Sequence, residues 1–284
     1  MPNFRRIFTL LASLLVAPLG AVAQAQAATT YYFSPVNQYG INLTAAYWNP
    51  IVNYVSEKSG VKLALKIGRT SADTTSYVLA REVDFTFTNH LFSPERQQLG
   101  WKVFGRRKTP PLHGQIVVRA DSGITALSQL AGQDVAFPGP EALISYKMPY
   151  AHLLSRDIAI EVVFGGNMDG ALAQLFSGQV KAVGGNSQLI EGYARREKHK
   201  VRVLWTSEPV YDLALMVAPK VPEPVVKAVT AAFLQMGKDP RGQTIIRQVS
   251  KLVELPEDAH FIASNGSEYG AYYDFYKTAP PALR

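Results

Sequence analysis

Short apolar runs and segments of helical periodicity alternate along most of this chain, and the two patterns predict strands and helices in turn. The predicted strands are 30–34, 62–67, 83–88, 101–104, 115–119, 135–137, 160–164, 180–183, 201–205 and 213–217. The predicted helices are 72–82, 140–155, 167–177, 187–196, 225–236, 241–249 and 269–276. One more helix runs through Tyr47 and Val55, and Pro50 either begins it at Asn49 or kinks it. Repeated strand–helix–strand units predict an α/β fold with mixed, mostly parallel sheets flanked by helices.

The stretch 121–149, DSGITALSQLAGQDVAFPGPEALISYKMP, predicts one wall of a ligand cleft. Its apolar run 135–137 follows a turn at Gly132 and stops at Pro138, Gly139 and Pro140, after which a helical pattern begins. A strand that leads into a helix N-terminus leaves several backbone N–H groups without partners. Together with the helix dipole, these groups favour an anion.

Two predicted strands are followed by an asparagine at the same spacing. Asn89 comes six residues after Val83, and Asn186 comes six residues after Val180. In open α/β sheets, ligands bind beyond the carboxyl ends of the strands, where both asparagines fall. The repeated spacing predicts that they lie on corresponding rims of two related lobes.

Polar and aromatic side chains on the loops after strands are the candidates for ligand contacts. The loop PVNQYG after the first strand offers amides and a ring, TNHLF after the third offers hydroxyl, amide and imidazole groups, and PGPEALISY follows residues 135–137. Among these and the later loops, we predict ligand contacts from Tyr39, Asn89, His90, Ser145, Tyr146, Asn186 and Lys181.

Motifs for catalysis and for metal binding are missing from the sequence. It contains no GxSxG, HExxH, GxxxxGKS/T or strand-linked GxGxxG motif, and its five histidines are scattered singly. We therefore expect no enzymatic activity, no cofactor and no bound metal.

The composition indicates an exported protein. Residues 1–28 resemble a secretory signal peptide, with Arg5 and Arg6 before an apolar run from Ile7 to Leu19 and small residues after it. An uncleaved membrane anchor is the alternative, but the run is shorter than the roughly 20 residues that span a bilayer. The chain has no cysteine, and its formal net charge of +7 falls to +5 without Arg5 and Arg6. That modest, scattered excess favours a small anion rather than nucleic acid, and we expect a monomer.

Four segments of the chain resemble one known family, the periplasmic phosphate-, phosphite- and phosphonate-binding proteins of ABC importers (PhnD-like proteins). The matching segments are REVDFTFTN, VVRADSGITALSQLAGQDVAFPGPEA, GGNMDGALAQLFSGQVKAVGGN and VRVLWTSEPV before LALMVAP. The resemblance implies a two-lobe, type II periplasmic-binding fold. We expect residues 29–117 to form the first part of lobe 1, residues 118–214 to form lobe 2, and residues 215–284 to complete lobe 1 with C-terminal helices.

Three departures from the family pattern concern the ligand. The Ser-Thr-Ser-Gly run common in phosphonate binders is replaced here by residues 142–145, Ala-Leu-Ile-Ser, so hydroxyl donors are lost. Lys181 stands where an acid is common, which argues against ligands with an ammonium group, and Met168 stands where a histidine is frequent. The resemblance therefore supports a transport-type fold better than it supports phosphonate specificity.

The predicted function is capture of a small anionic solute, such as phosphonate, phosphite or phosphate, in the cleft between the lobes of a periplasmic protein. Lobe closure would bury the ligand, and the closed protein would deliver it to a membrane permease of the ABC type. Two alternatives stay open: an exported sensor that signals to a membrane-bound kinase, and a binder of another solute such as a sulfonate or an organic acid.

Overall fold

The computed structural model describes residues 29–284, and the predicted signal peptide lies outside the described residues. Within that range the strands are β1 (Tyr31–Pro35), β2 (Leu63–Leu65), β3 (Phe85–Thr88), β4 (Lys102–Arg107), β5 (Gly114–Arg119), β6 (Asp134–Phe137), β7 (Glu161–Phe164), β8 (Ala182–Asn186), β9 (Val201–Thr206), β10 (Ala214–Val217) and β11 (Phe261–Ala263). The last of these, β11, is not among the predicted strands.

The strands form two mixed sheets. Sheet 1 has the order β11-β4-β10-β3-β1-β2, and sheet 2 has the order β7-β6-β8-β5-β9. β1 pairs in parallel with β2 and β3, and β6 pairs in parallel with β7 and β8, whereas all the other neighbours in the two sheets are antiparallel. The mixed sheets are confirmed. Four of the six strands of sheet 1 and four of the five strands of sheet 2 run in one direction, and the reversed strands are β10 and β11 in sheet 1 and β5 in sheet 2.

The chain crosses between the sheets twice, from β4 to β5 and from β9 to β10. The two crossing segments, residues 108–113 and 207–213, pair with each other through a bridge between Leu112 and Val210. Each of these residues donates its backbone N–H to the other's carbonyl, at 2.7 and 2.8 Å. The lobe boundary expected after residue 117 falls inside β5, and the one after residue 214 falls inside β10.

Helices cover the sheets. They are α1 (Ile41–Ser59), α2 (Ser71–Leu79), α3 (Pro94–Gln97), α4 (Met148–Leu154), α5 (Met168–Phe176), α6 (Ser187–Arg196), α7 (Glu223–Gln235), α8 (Pro240–Leu252) and α9 (Gly270–Thr278). Pro50 lies inside α1, so it does not begin the helix. The buried face of α1 presents Trp48, whose ring centroid lies 5.0 Å from that of Phe33 and 5.2 Å from that of Phe87. These aromatic contacts seat α1 on sheet 1.

The helix predicted at 140–155 has an irregular start. Residues 143–147 form a wide π-helical turn, and α4 begins only at Met148. Pro149 explains the irregularity, because its ring has no N–H and would clash with the carbonyl of Ser145 in a regular helix. The wide turn keeps Ser145 buried near the carboxyl end of β6.

None of the helices in residues 29–284 is long and apolar enough to span a membrane.

Candidate ligand-binding cavity

A cavity lies between the two sheets, at the carboxyl ends of β1, β3, β6 and β8. Its volume is about 370 Å³ including the mouth, but only about 30 Å³ accepts the centre of a water molecule. Such a narrow interior suits a solute of a few heavy atoms. It is lined by Val36, Asn37, Gln38, Ser71, Asn89, His90, Pro138, Ala142, Ile144, Ser145, Met168, Asn186, Leu189 and Leu213.

The two lobes touch around this cavity, so the structure is a closed form. The backbone N–H of Ser71 at the start of α2 donates to the carbonyl of Gly166 at 2.8 Å. On another side of the cavity, the N–H of Met168 donates to the carbonyl of Gln38 at 3.3 Å. Both bonds join an element packed on sheet 1 to a loop or helix packed on sheet 2.

Four of the predicted contact residues line the cavity together: Asn89, His90, Ser145 and Asn186. Asn89 follows β3 directly, and Asn186 is the last residue of β8, so the repeated spacing does mark corresponding strand ends. Asn186 also caps α6, because its Oδ1 accepts from the N–H groups of Gln188 at 2.9 Å and Leu189 at 3.4 Å. Only its amide NH₂ is left for a ligand.

The structure places the other three predicted residues outside the cavity lining. Tyr39 is buried with its ring centroid 6.4 Å from that of Tyr47, and burial raises the pKa of its hydroxyl. Tyr146 is half-buried, and its ring packs against Phe137 at a centroid distance of 4.9 Å, at the margin of the core of the second lobe. Lys181 is exposed and precedes β8, about 16 Å along the strand from the cavity end.

Three polar residues line the cavity that the sequence analysis did not select. Asn37 and Gln38 belong to the same loop as Tyr39, and the loop turns their side chains, rather than the ring, towards the cavity. Ser71 opens α2 and meets the opposite lobe, where its Oγ donates to the carbonyl of Pro138 at 3.4 Å. Ser71 immediately precedes the helix predicted from residue 72, and a polar residue is common at that position. No local pattern indicated that Ser71 faces the other lobe.

His90 is held in one orientation. Its Nδ1 lies 2.7 Å from the Thr75 hydroxyl, and its backbone N–H donates to the Thr88 hydroxyl at 3.0 Å. The Nε2 atom is buried and finds no hydrogen-bond partner in the described part of the chain. Burial lowers the pKa of His90 to about 3, so the ring is neutral at ordinary pH.

A partly buried cluster of charges lies behind His90 and joins the lobes. Arg96 Nη1 lies 2.6 Å from the Glu141 carboxylate across the lobe boundary, and the same atom donates to the His90 carbonyl at 2.8 Å. Lys147 lies nearby, with its ammonium 5.0 Å from the ring centroid of Tyr276. Burial lowers the pKa of Lys147, although Glu141 opposes that shift. Glu95 also borders this cluster, so its two cations face two carboxylates and the cluster adds no net charge behind the cavity wall.

A second buried ion pair supports the loop that carries Asn37 and Gln38. Arg107 Nε donates to Asp212 at 2.8 Å, and both side chains are fully buried. Arg107 also donates to the Gln38 side-chain oxygen at 3.3 Å and to the Tyr47 hydroxyl at 3.2 Å. The pair is electrically neutral overall, so it orients Gln38 without adding net charge to the cavity.

The cavity wall itself offers neutral donors. Among residues 29–284, the side chains that line it include no Lys, Arg, Asp or Glu. The backbone N–H groups of residues 143–145 begin the helical segment after β6 and have no acceptor in the described chain. By contrast, the first N–H of α5 is already bonded to Gln38. The free donors therefore gather at the helix start after β6.

No group of three or more His, Asp or Glu side chains within residues 29–284 is arranged to hold a metal ion.

Two helix-flanked sheets, two chain crossings and a polar cavity between the lobes define the class of solute-binding proteins with a type II periplasmic-binding fold. The sequence profile of one such family, described as ABC transporter, phosphonate, periplasmic substrate-binding protein, matches residues 34–258. The chain belongs to this family, which confirms the resemblance found in the sequence. Its members are carriers of ABC transporters rather than enzymes, and the family places the chain in the periplasm with a small-molecule ligand and a permease partner.

Solved structures of similar shape agree with this fold. PhnD1 from Prochlorococcus marinus, in complex with methylphosphonate, has a TM-score of 0.74 and 14% identity, covering 87% of this chain and 97% of that one. A binding protein of an ABC phosphonate transporter from Pseudomonas aeruginosa has a TM-score of 0.73 and 12% identity, covering 84% and 83%. A Xanthomonas citri protein bound to ATP has a TM-score of 0.66 and 14% identity, covering 87% and 97%. No curated protein sequence matches the chain significantly.

Proposed function

We propose that this protein captures a small oxyanion of the phosphonate type in the cavity between its lobes and delivers it to a membrane permease. One observation carries the proposal: neutral donors line a narrow closed cavity between the lobes, at the strand ends. These donors include the Ser145 hydroxyl, the free amides of Ile144 and Ser145 and the NH₂ of Asn186, all on the second lobe. Charge-assisted hydrogen bonds of this kind contribute roughly 1.5 to 3 kcal/mol each.

The charges around the cavity support an anion over a cation. No carboxylate in the described chain lines the cavity, and the Arg96 guanidinium donates to the backbone carbonyl of His90, a residue of the cavity wall. The narrow interior favours a compact group such as phosphonate, phosphite or phosphate. The methylphosphonate named for PhnD1 is a ligand of this size.

We further propose that residues 29–107 and 214–284 form one lobe and residues 114–206 the other, hinged on the two paired crossing segments. Opening about that hinge would break the contacts of Ser71 with Gly166 and of Arg96 with Glu141, and would expose the cavity. A permease would then distinguish the loaded, closed protein from the open one.

A thermal-shift panel tests the oxyanion assignment. The panel contains phosphate, phosphite, methylphosphonate, sulfate and small organic acids. A true ligand at about 100 times its dissociation constant adds about 2.7 kcal/mol to the free energy of unfolding. A panel in which no oxyanion raises the melting temperature would contradict the proposal.

Asn89→Leu provides the matching variant, because Asn89 is buried in the cavity wall. We expect it to abolish the shift caused by the ligand while the protein stays folded. Asn53→Leu is the control: Asn53 is exposed on α1, and its replacement should leave the shift unchanged. Equal shifts in the two variants would remove Asn89 from the site.

A further inference from the structure

The Asn37 amide is fixed with its oxygen unpaired. Its side chain is 1% exposed, and its Nδ2 donates to the Gly68 carbonyl at 2.7 Å. That bond assigns the two ends of the amide, since only the NH₂ group can donate to a carbonyl oxygen. Oδ1 is left buried and without a donor among the described residues. Asn37 is one of the residues that line the cavity, and a buried acceptor without a donor is a group that a bound ligand could satisfy.

The surroundings of Asn37 do not supply the missing donor. Neither the NH₂ group of its neighbour Gln38 nor any other donor among residues 29–284 lies within hydrogen-bond distance of Oδ1. The neutral His90 ring uses Nδ1 for the Thr75 hydroxyl, and its Nε2 has no partner among these residues either. The cavity lining therefore includes the Ile144 and Ser145 amides and the Ser145 hydroxyl as donors, together with one committed acceptor. A ligand that satisfies both kinds of group must carry a hydrogen of its own.

We infer that the cavity selects oxyanions that retain a proton, and that Asn37 Oδ1 accepts the hydrogen bond from their P–OH group. This inference rests on the proposed oxyanion-binding function and adds the chemical class of its ligand, the hydrogen phosphonate monoanion. A sulfonate of the same shape carries no proton. Its bare oxygen would face the Asn37 oxygen, and the buried acceptor would stay unpaired.

Methylphosphonate and methanesulfonate form the decisive pair of ligands, because they have nearly the same shape and differ in the ionisable proton. We would titrate each into the full-length mature protein by calorimetry at about pH 5.5, below the second ionisation near 6 of a phosphate-type group. We expect methylphosphonate to bind about tenfold or more tightly, the discrimination that an unpaired buried acceptor produces.

Two variants assign the discrimination to Asn37. Asn37→Leu removes the acceptor, so we expect the ratio of the two dissociation constants to fall towards one, mainly through weaker methylphosphonate binding. Ser145→Ala is the matched control: it removes a donor that serves either ligand, so both affinities should fall by a similar factor and the ratio should persist. If Asn37→Leu does not fold, Asn37→Ala removes the same acceptor with a smaller side chain and should lower the ratio in the same way.

The outcomes separate this inference from the proposed function. Equal binding of the two ligands by the natural protein would overturn the inference and leave oxyanion capture standing. Binding of neither ligand would overturn both. A folded Asn37→Leu or Asn37→Ala protein that keeps the full ratio would remove Asn37 from the recognition of the proton.

Discussion

The ion pair between Arg96 and Glu141 joins the lobes, so breaking it should lower ligand affinity without touching the ligand. We choose Glu141→Gln, which keeps the size of the side chain and removes its charge. The Arg96 and Glu141 side chains are 20% and 24% exposed, and their closest atoms are 2.6 Å apart. Burial raises the pKa of Glu141, but the hydrogen bond and charge of Arg96 outweigh that effect, and the pKa lies below its ordinary value.

The size of the effect follows from the partial burial of the pair. Exposed ion pairs contribute up to about 1 kcal/mol, and removing one partner of a fully buried pair costs about 3 to 5 kcal/mol. A pair with about a fifth of its surface exposed falls between these limits, so the substitution should destabilise the closed form by about 1.5 kcal/mol. If the ligand binds only that form, its dissociation constant rises by roughly tenfold.

Calorimetric titration of methylphosphonate into the natural protein and into Glu141→Gln measures this change. Glu223→Gln is the matched control, because Glu223 pairs with Lys227 at 2.7 Å on α7 and both side chains are 75% exposed. We expect the control to bind like the natural protein. A Glu141→Gln protein that is folded and binds within about twofold of the control would refute the assignment of this pair to closure.

Two further predictions concern stability. Because burial lowers the pKa of His90 to about 3, the folded protein stays unprotonated there while the unfolded chain takes up a proton below about 6.5. Stability should therefore fall as the pH drops from about 6.5 towards about 3, and His90→Gln should flatten that loss by about 1 kcal/mol per pH unit in urea denaturation. Gly184→Ala would place its Cβ 2.2 Å from the Phe137 ring, so it should cost about 1 to 3 kcal/mol by the same assay.

Each of these predictions has a clear contrary result. Parallel pH curves for the natural protein and His90→Gln would show that His90 titrates alike in the folded and unfolded chains. Gly123→Ala is the control for Gly184→Ala, since nothing lies within 4 Å of a Cβ at Gly123. Similar denaturation midpoints for the two alanine variants would mean that the Phe137 ring moves aside at little cost.

The strand ends that carry the cavity could be predicted from local pattern. Asn89 and Asn186 each lie at the end of a short apolar run. In an α/β sheet, the residue at the carboxyl end of a parallel strand lies at the edge where ligands bind. The same reasoning predicted a helix after β6 beginning at residue 140, and the helical segment begins at 143, where the amides of residues 143–145 have no acceptor in the described chain. The ends of these strands and the start of this helix depend on residues that are close together in the chain, so they can be predicted from the local sequence.

The local pattern could not predict which of several neighbouring residues in one loop has its side chain at the cavity. Asn37 and Tyr39 share a loop, but Asn37 lines the cavity, while Tyr39 lies on Tyr47 beside the buried pair of Arg107 and Asp212. Ser145 and Tyr146 are also adjacent but have different surroundings. In the wide π-helical turn, Ser145 lines the cavity, whereas the Tyr146 ring packs against Phe137. The direction of each side chain depended on partners far along the chain.

The sequence by itself determined the alternation of elements, the family, and the strand ends at which a ligand would bind, because burial periodicity and turn chemistry are local. Only the tertiary structure decided which distant groups meet: the antiparallel neighbours of β5 and β10, the pairing of Arg96 with Glu141, and the contact of Ser71 with Pro138. Those contacts join the two lobes around the cavity. They depend on how two lobes pack, and no pattern within a single segment of the chain encodes that packing.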